Sequence, residues 1–394
     1  MKGIINPYIK SEKDFDEYTQ WLQSKGNVWK VADKVYMATS YQEVKEALSD
    51  ETVFAPNDIE KKLEKIIQST QDDRLVSTQQ FLKNWLAWLR GEEHSRWKKN
   101  LLLNFHSMND LDEIVKQTTE QSIQDFFMGA SGEKDLVSEL IDPFVGNVIL
   151  KTLNYDESTK LDIRFWSLKI RQILDPVWNA ETVKNTNEGL NGLTQELIEK
   201  KNSSNFLDKT VEQLGITDLN FLYGNLQFYI LAGVETSIYF LARAILVLVE
   251  TGLYKTINWD NPKEVKVIAE ELLRYVSPAV FVQRETTRSV TLGGQEMPEG
   301  SMVLLNICAA NRDPSVFDDP YQLNFNRSNN SHIAFGYKKH VCFGKALSLL
   351  EIVNFLPRFF GELQKYQKVE IISTEYEKIT LLRGLKSLRV KLCP

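Results

Sequence analysis

The sequence predicts a mainly α fold with a smaller β portion interleaved along the chain, in one domain over residues 1–394. Three observations carry this expectation. Helix-type periodicity dominates from about His94 to Tyr275, strand-like runs bounded by turn residues lie near Val28–Thr39 and Val280–Cys308, and no linker, internal repeat or low-complexity tract separates the two kinds of segment. Composition agrees, because 43% hydrophobic and 25% charged residues are globular proportions that exclude a disordered, collagen-like or coiled-coil chain.

Taken in order, Val28–Thr39 (VWKVADKVYMAT) reads as two strands around a turn and Tyr41–Leu48 as a short helix. From about His94 to Lys200 the pattern is helical, with interruptions at Asp142-Pro143 and Asp175-Pro176. Asp218 to Thr251 reads as one long amphipathic helix, and Pro262–Tyr275 as another helix. Strand-like segments follow at Val280–Thr287, Val290–Leu292 and Met302–Cys308, with turns at Gly293-Gly294 and Pro298-Glu299-Gly300. The last strong helix starts after Cys342 and runs to about Phe360; the tail reads as short strands.

A net charge of −6, from 47 basic and 53 acidic side chains, argues against a dedicated nucleic-acid binder. The longest charge-free stretch, Leu219 to Val234, carries Asn, Gln and Gly, so a membrane span of ~18–20 apolar residues is not expected. The first residues (MKGIINPYIKSEKDFDEY) lack the apolar core of a signal peptide, and a soluble, cytoplasmic protein is expected. Cys308, Cys342 and Cys393 are too few and too odd in number for a disulfide framework.

Candidate chemistry concentrates in His332 to Glu351, HIAFGYKKHVCFGKALSLLE. Cys342 lies in a loop between Gly336 and Gly344, just before a helix pattern, with His340, Lys338, Lys339 and Lys345 around it. Helix N-terminal N–H groups and nearby cations favour a thiolate, able to act as nucleophile or metal ligand. The loop by itself is equally open to a buried Cys in a turn, and zinc is disfavoured because no second Cys or His stands at zinc spacing. On the long helix, Ala232, Gly233 and Thr236 share a face, and Gly inside a helix costs ~1 kcal/mol against Ala, for which close approach of a flat cofactor is one reason. Glu235 beside Thr236 supplies an acid next to an alcohol; an ordinary exposed Glu is the plain alternative. Glu271 and Arg274, three apart, can pair on one helix face.

Phe335-Gly336, His340, Cys342, Gly344 and Leu347 are similar to the haem-binding signature FGxGx[HR]xCxGxxLA of the cytochrome P-450 family, whose soluble bacterial members are haem-thiolate monooxygenases. The chain departs from that signature at Lys338, where a second Gly is usual, and at Ser348, where Ala is usual. Ala232-Gly233-Val234-Glu235-Thr236-Ser237 resembles the family's AGx[DE]T[TS] segment, and Glu271 with Arg274 its ExxR pair. Gly91–Lys99 resembles the helix that binds a haem propionate through His and Arg; His94 matches, while Lys98 stands in the Arg slot without the bidentate fork. Arg284, ten residues past Arg274, falls where the family places another propionate-binding Arg. Ala309–Pro314 and Leu382–Leu388 also look like family segments, so the resemblance runs from about Val28 to Leu392 and implies a single cytochrome P-450 fold.

The resemblance implies a Cys342 thiolate as axial ligand of a haem b iron, with His94, Lys98, Ala232, Gly233, Arg284, Phe335, Gly336, His340 and Gly344 around the haem. It implies that Thr236 hydrogen-bonds dioxygen at the haem, that Glu235 helps relay protons, and that Arg327 joins Glu271 and Arg274 as a structural lock. His332 and His106 have no implied role and read as satisfied polar residues. The implied reaction is insertion of one oxygen atom from O2 into a small organic substrate, by hydroxylation or epoxidation. Electrons come from a ferredoxin or flavodoxin with its reductase, since no flavin or NAD(P) site is recognisable in the chain. A natural-product intermediate, free or carrier-bound, is the expected substrate, with neither nucleic acid nor membrane as partner. Pocket walls are expected from Val53–Leu89, Trp166–Trp178, Phe228, Leu231, Phe281, Val282 and Leu381-Leu382. Lys338, Lys339 and Lys345 with Arg96 and Lys99 are expected to form a basic patch for an acidic redox partner. A non-hydroxylating oxidase (coupling, desaturation or nitration) on the same scaffold and a non-enzymatic haem-binding or carrier-docking protein stay open as alternatives.

Overall fold

The computed structural model describes residues 9, 11–72, 75–108, 110–129, 131–155, 161–175, 178–200, 209–212, 215 and 218–393, with the backbone alone for 103–108. At 56% helix and 15% strand, the protein is mainly α with a smaller β portion. The chain begins with helix α1 (Glu12–Gln23), strands β1 (Val28–Ala32) and β2 (Val35–Ala38), helix α2 (Tyr41–Ser49) and the short β3 (Phe54–Ala55). Helices α3 (Ile59–Thr70), α4 (Val76–Leu82), α5 (Gly91–Met108) and α6 (Leu111–Phe127) lead to β4 (Gly132–Asp135). Next come α7 (Asp142–Thr152), α8 (Ile163–Ile170), α9 (Ala180–Glu199), the long α10 (Leu219–Thr251) and α11 (Pro262–Tyr275). The last part holds β5 (Phe281–Thr286), β6 (Val290–Leu292), β7 (Gln295–Met297), β8 (Met302–Asn306), the one-turn α12 (Ile307–Ala310), α13 (Lys345–Leu363), β9 (Lys368–Tyr376) and β10 (Leu385–Cys393).

These elements form two compact units, neither contiguous in sequence. The first comprises residues 1–55, 115–144 and 236–394, the second 56–114 and 145–235. In the first unit one sheet has the order β1-β2-β8-β5-β3, with β2 and β8 parallel and the other neighbours antiparallel. A second sheet has the order β4-β10-β9, and β6-β7 is a hairpin turned by Gly293 and Gly294, both at positive φ where glycine carries no Cβ penalty. Core packing ties β2, β5 and β8 to α1 through Met37, Phe281, Leu304, Phe15 and Leu22. Arg243 on the C-terminal half of α10 is wholly buried and meets both carboxylate oxygens of Glu12 at 2.9 and 2.7 Å, which satisfies a charge that burial alone would make costly.

In the second unit α9 lies close on α8 because Gly189 and Gly192 face it; a Cβ at Gly192 would come 2.2 Å from the Trp166 ring. The first turns of α10 hold the segment after α4 through Asn225, which accepts from Leu86 N at 2.9 Å and donates to Asn84 O at 2.8 Å. Gly224 lets that backbone in, since a Cβ there would sit 2.8 Å from Phe81 O.

The structure corrects several expectations. Helix α10 is apolar nearly all round rather than amphipathic; it is long and apolar enough to cross a membrane, but 83% of its most hydrophobic window is buried in the fold. Residues 302–308 divide into β8 and the one-turn helix α12, where the Asn306 side chain accepts from Ala309 N and starts the turn. Pro143 breaks nothing, because it falls in the first turn of α7 after a π-helical turn at Val137–Ile141. Strand β4 was hidden in the helical tract: Gly132–Asp135 has no apolar alternation and is recruited by pairing with β10. Pro176 lies outside the described residues, as does the side chain of His106.

Candidate active site

The loop 335–344 is built by backbone geometry. Cys342 N donates to Phe335 O at 2.8 Å and Gly336 N to Ile333 O at 2.9 Å, folding the chain back on itself. Gly336 has φ +75°, and a Cβ there would meet His340 O at 3.3 Å, so glycine suits both its conformation and its space. Lys338 also lies in the left-handed region, φ +56°. The Gly-for-Lys departure noted in the sequence therefore falls at a position whose backbone favours glycine, at a cost of about 1–2 kcal/mol for the lysine. Gly344 caps α13, and the exposed Cys342 thiol stands three residues before that helix begins.

Two further residues of the first unit bear on an anionic, flat cofactor. Arg284 on β5 is nine-tenths buried and donates to the neighbouring Gln283 O, with no carboxylate bonded to it among the described residues. Burial pulls its guanidinium down to about 10, opposed only by the charge of Glu51. A buried cation in this condition fits an added carboxylate such as a haem propionate. His340 Nε2 donates to Glu51 Oε2 at 2.9 Å, and Lys339 Nζ to Glu51 Oε1 at 2.6 Å. Burial pushes the Glu51 carboxyl up, but the bonds from Lys339 and His340 outweigh it and hold the group below the ordinary carboxylate range.

Helix α10 carries the second constellation. From Ile230 to Leu248 every residue is buried except Ala232, Gly233 and Thr236, which lie one above another on a single face. Gly233 has a packing reason of its own, because a Cβ there would come 2.6 Å from Ile149 Cδ1. Glu235 is fully buried in the second unit, not exposed; Arg164 bonds Oε1, Ser167 Oγ donates to Oε1 at 2.7 Å, and Arg171 Nη1 donates to Oε2 at 3.1 Å. Its neighbour after Thr236, Ser237, points away and donates to Glu351 Oε2 of α13 at 2.5 Å. Glu351 Oε1 is buried without a partner, and burial pushes this carboxyl up to about 7, the Ser237 bond drawing it down.

Glu271 and Arg274 pair bidentately at 2.9 and 2.8 Å, with Arg327 Nε on Glu271 Oε2 at 3.2 Å; all three are buried. The remaining donors of Arg274 reach the carbonyls of Asn311, Pro320 and Gln322, so one side chain stitches segments far apart in sequence. This lock is structural and carries no exposed acid. His332 Nε2 donates to Glu270 Oε2 at 2.7 Å, a satisfied polar residue. In the second unit His94 is buried and Lys98 half-buried on α5.

Other expected residues fall differently. Phe281 sits in the core with Phe15 and Met37, because strand alternation sends it to the face opposite Val282 and Arg284. Leu231 is buried on the Glu235 side of α10. Val282, Leu381 and Phe228 keep part of their surface, Phe228 packing on Trp85 with ring centroids 5.1 Å apart. Lys339 is not a free surface cation, being paired with Glu51; Lys338 and Lys345 lie over the rings of Tyr337 and Phe335. Arg164, Ser167, Arg171, Ser237, Glu351 and Glu51 were not anticipated. For the first three a signal existed, since 164, 167 and 171 repeat at helical spacing on one face of α8 and the turn after it.

A cysteine loop before a helix, a buried Glu–Arg–Arg lock and a long core helix with a small-residue face define a haem-thiolate oxygenase type of protein. Residues 265–391 match the family model described as Cytochrome P450. The chain is 25% identical over 371 residues to 6-deoxyerythronolide B hydroxylase of Saccharopolyspora erythraea, covering 91% of this chain and 90% of that one. It is 35% identical over 176 residues to the polyketide biosynthesis cytochrome P450 PksS of Bacillus subtilis, 43% of each chain. Among solved structures, P450BioI in complex with an acyl carrier protein bearing hexadec-9Z-enoic acid superposes with a TM-score of 0.79 at 19% identity, covering 97% and 98% of the two chains. The chain is thus similar to cytochrome P-450 enzymes over most of its length and matches that family's model over residues 265–391, and it is an oxidoreductase of the monooxygenase kind.

Proposed function

We propose that the protein is a haem-thiolate monooxygenase in which Cys342 ligates haem b, and that it hydroxylates or epoxidises a natural-product intermediate with electrons from a ferredoxin or flavodoxin and its reductase. The observation that carries this reading is the Cys342 loop, whose backbone presents an exposed thiol just ahead of the N-terminus of α13. The thiolate-ligated haem, when bound, supplies the reductive activation of dioxygen. Arg284 and His340 of the first unit offer a buried cation and a donor for propionates, the role that the family resemblance also gives to His94 and Lys98. Ala232 and Gly233 keep bulk off the accessible face of α10, and Phe335, Gly336 and Gly344 shape the thiol loop.

Thr236 holds a hydroxyl proton on that face. Glu235 is fixed as a carboxylate between Arg164 and Arg171, so it can pass a proton only when one guanidinium swings away. That makes it a latched acid rather than a freely hydrated one. Val282 and Leu381 of the first unit offer apolar surface to a substrate. Two relatives support the substrate class by their names, 6-deoxyerythronolide B hydroxylase and the polyketide biosynthesis cytochrome P450 PksS. The acyl-carrier complex of P450BioI supports a carrier-bound form of it. We take residues 1–394 as one functional domain of a cytoplasmic protein, since the chain passes between its two units after Ala55, Ile114, Phe144 and Glu235.

The test is the carbon monoxide difference spectrum of the dithionite-reduced holoprotein and of Cys342→Ala. A red-shifted thiolate-type Soret band that disappears in the variant is the expected result. A histidine-type band in fresh wild-type protein refutes the assignment of Cys342.

A further inference from the structure

We propose that Glu51 is a positioning residue for the thiol loop, holding Lys339 and His340 together so that the loop keeps its ligand-presenting conformation with a lysine where its backbone favours glycine. The inference rests on the haem-thiolate reading of Cys342. Three observations lead to it. Lys338 occupies the left-handed region at φ +56°, a conformation that costs a residue with a Cβ and that the loop must be held into, while its Nζ lies over the Tyr337 ring. The next two residues both donate to one carboxylate, at 2.6 and 2.9 Å, across 288 and 289 positions of sequence. That carboxylate is 10% exposed and the His340 side chain 8%, so the second bond is shielded from water and from salt.

Glu51 is itself rigidly mounted. Asp50 accepts from Thr52 N and Val53 N at 3.0 and 3.3 Å, closing a tight turn around Glu51. The chain then enters β3, which pairs with Thr286 and Glu285 of β5, the strand that carries Arg284. Glu51 thus stands on the same framework as the buried guanidinium and fixes His340 relative to it. The bond from Nε2 leaves the ring no freedom to rotate, which is how a carboxylate behind an imidazole sets its direction in other cofactor sites. Lys45 adds a second tether from α2, its Nζ lying 4.9 Å from the Tyr337 ring centre.

The experiment compares wild type, Glu51→Ala, Lys338→Gly and the double variant as holoproteins. Two quantities are read, the rate of haem transfer to excess apomyoglobin and the fraction of thiolate-type band in the reduced carbon monoxide complex. Glu51→Ala is expected to speed haem loss by about 10-fold, in line with removal of an outer partner of a cofactor-binding His, and to shift part of the band away from the thiolate type. Lys338→Gly by itself should change little, yet in the Glu51→Ala background it should recover most of the loss, because glycine removes the conformational demand that Glu51 offsets. Glu51→Gln, which keeps one acceptor and the size, should fall between. Equal haem loss and spectra in wild type and Glu51→Ala overturn the proposal, as does a double variant no better than Glu51→Ala. Absence of a thiolate-type band from wild type would instead overturn the haem-thiolate reading on which it rests.

Discussion

Replacing Glu351 by Gln should make the stability of this protein less sensitive to pH, and by a calculable amount. Glu351 is buried on α13, with Oε2 receiving the Ser237 hydroxyl at 2.5 Å and Oε1 partnerless among the described residues. Burial raises its carboxyl from an ordinary 4.5 to about 7. The native state therefore keeps a proton that the unfolded chain releases near 4.5. The stability this confers is fully present below about 4.5, falls as pH rises, and is gone above about 7. The span corresponds to roughly 3 kcal/mol, lost at about 1.4 kcal/mol per pH unit. Glutamine cannot ionise and leaves only a constant offset from its amide. Urea unfolding of both holoproteins at pH 5, 6, 7 and 8 measures the difference between them. It should grow in favour of Glu351→Gln up to about pH 7 and flatten beyond. A difference that stays flat across the series would falsify the claim that this carboxyl is neutral in the folded protein.

Two glycines should respond with opposite signs. A Cβ at Gly384 would lie 1.9 Å from the ring of the fully buried Tyr239, so Gly384→Ala should cost about 1–3 kcal/mol; Gly361, in the last turn of α13 with open space, should gain about 0.5 kcal/mol as Ala, both read by thermal unfolding. Glu271→Ala leaves Arg274 and Arg327 buried without a carboxylate and should lower the unfolding free energy by about 3–5 kcal/mol, seen as lost soluble yield and a lower Tm. Arg171→Ala removes one of two guanidinium partners of Glu235, and substrate turnover with a matched reductase should become less tightly coupled to electron consumption, while the Soret spectrum stays unchanged. A changed Soret spectrum would mean that Arg171 acts on the haem environment instead.

Much of the site was legible because its signals are local. Gly336, Cys342 and Gly344 stand within nine residues of one another, and their spacing records a backbone turn that only certain residues adopt. The 232–236 face was legible for a related reason, since helical spacing tells which residues share a side. Spacing does not tell what that side meets. Glu235 read equally well as an exposed acid, and although the spacing of Arg164, Ser167 and Arg171 puts them on one face, nothing in it says that this face meets Glu235. Phe281 shows the converse limit: strand alternation separates two faces, but only the sheet decides which of them turns to the core.

From the sequence by itself come the class of fold, the boundaries of α2, α10, α11, β5 and β6 to within a residue, the thiol and the helix that follows it, all encoded in periodicity and turn residues a few positions apart. The tertiary structure alone decided the partners. Arg243 on Glu12, Ser237 on Glu351 and Glu51 on His340 span 231, 114 and 289 positions. Charged groups separated by so much chain carry no mutual pattern, and they meet because apolar burial brings their elements together and leaves each buried charge in need of a partner.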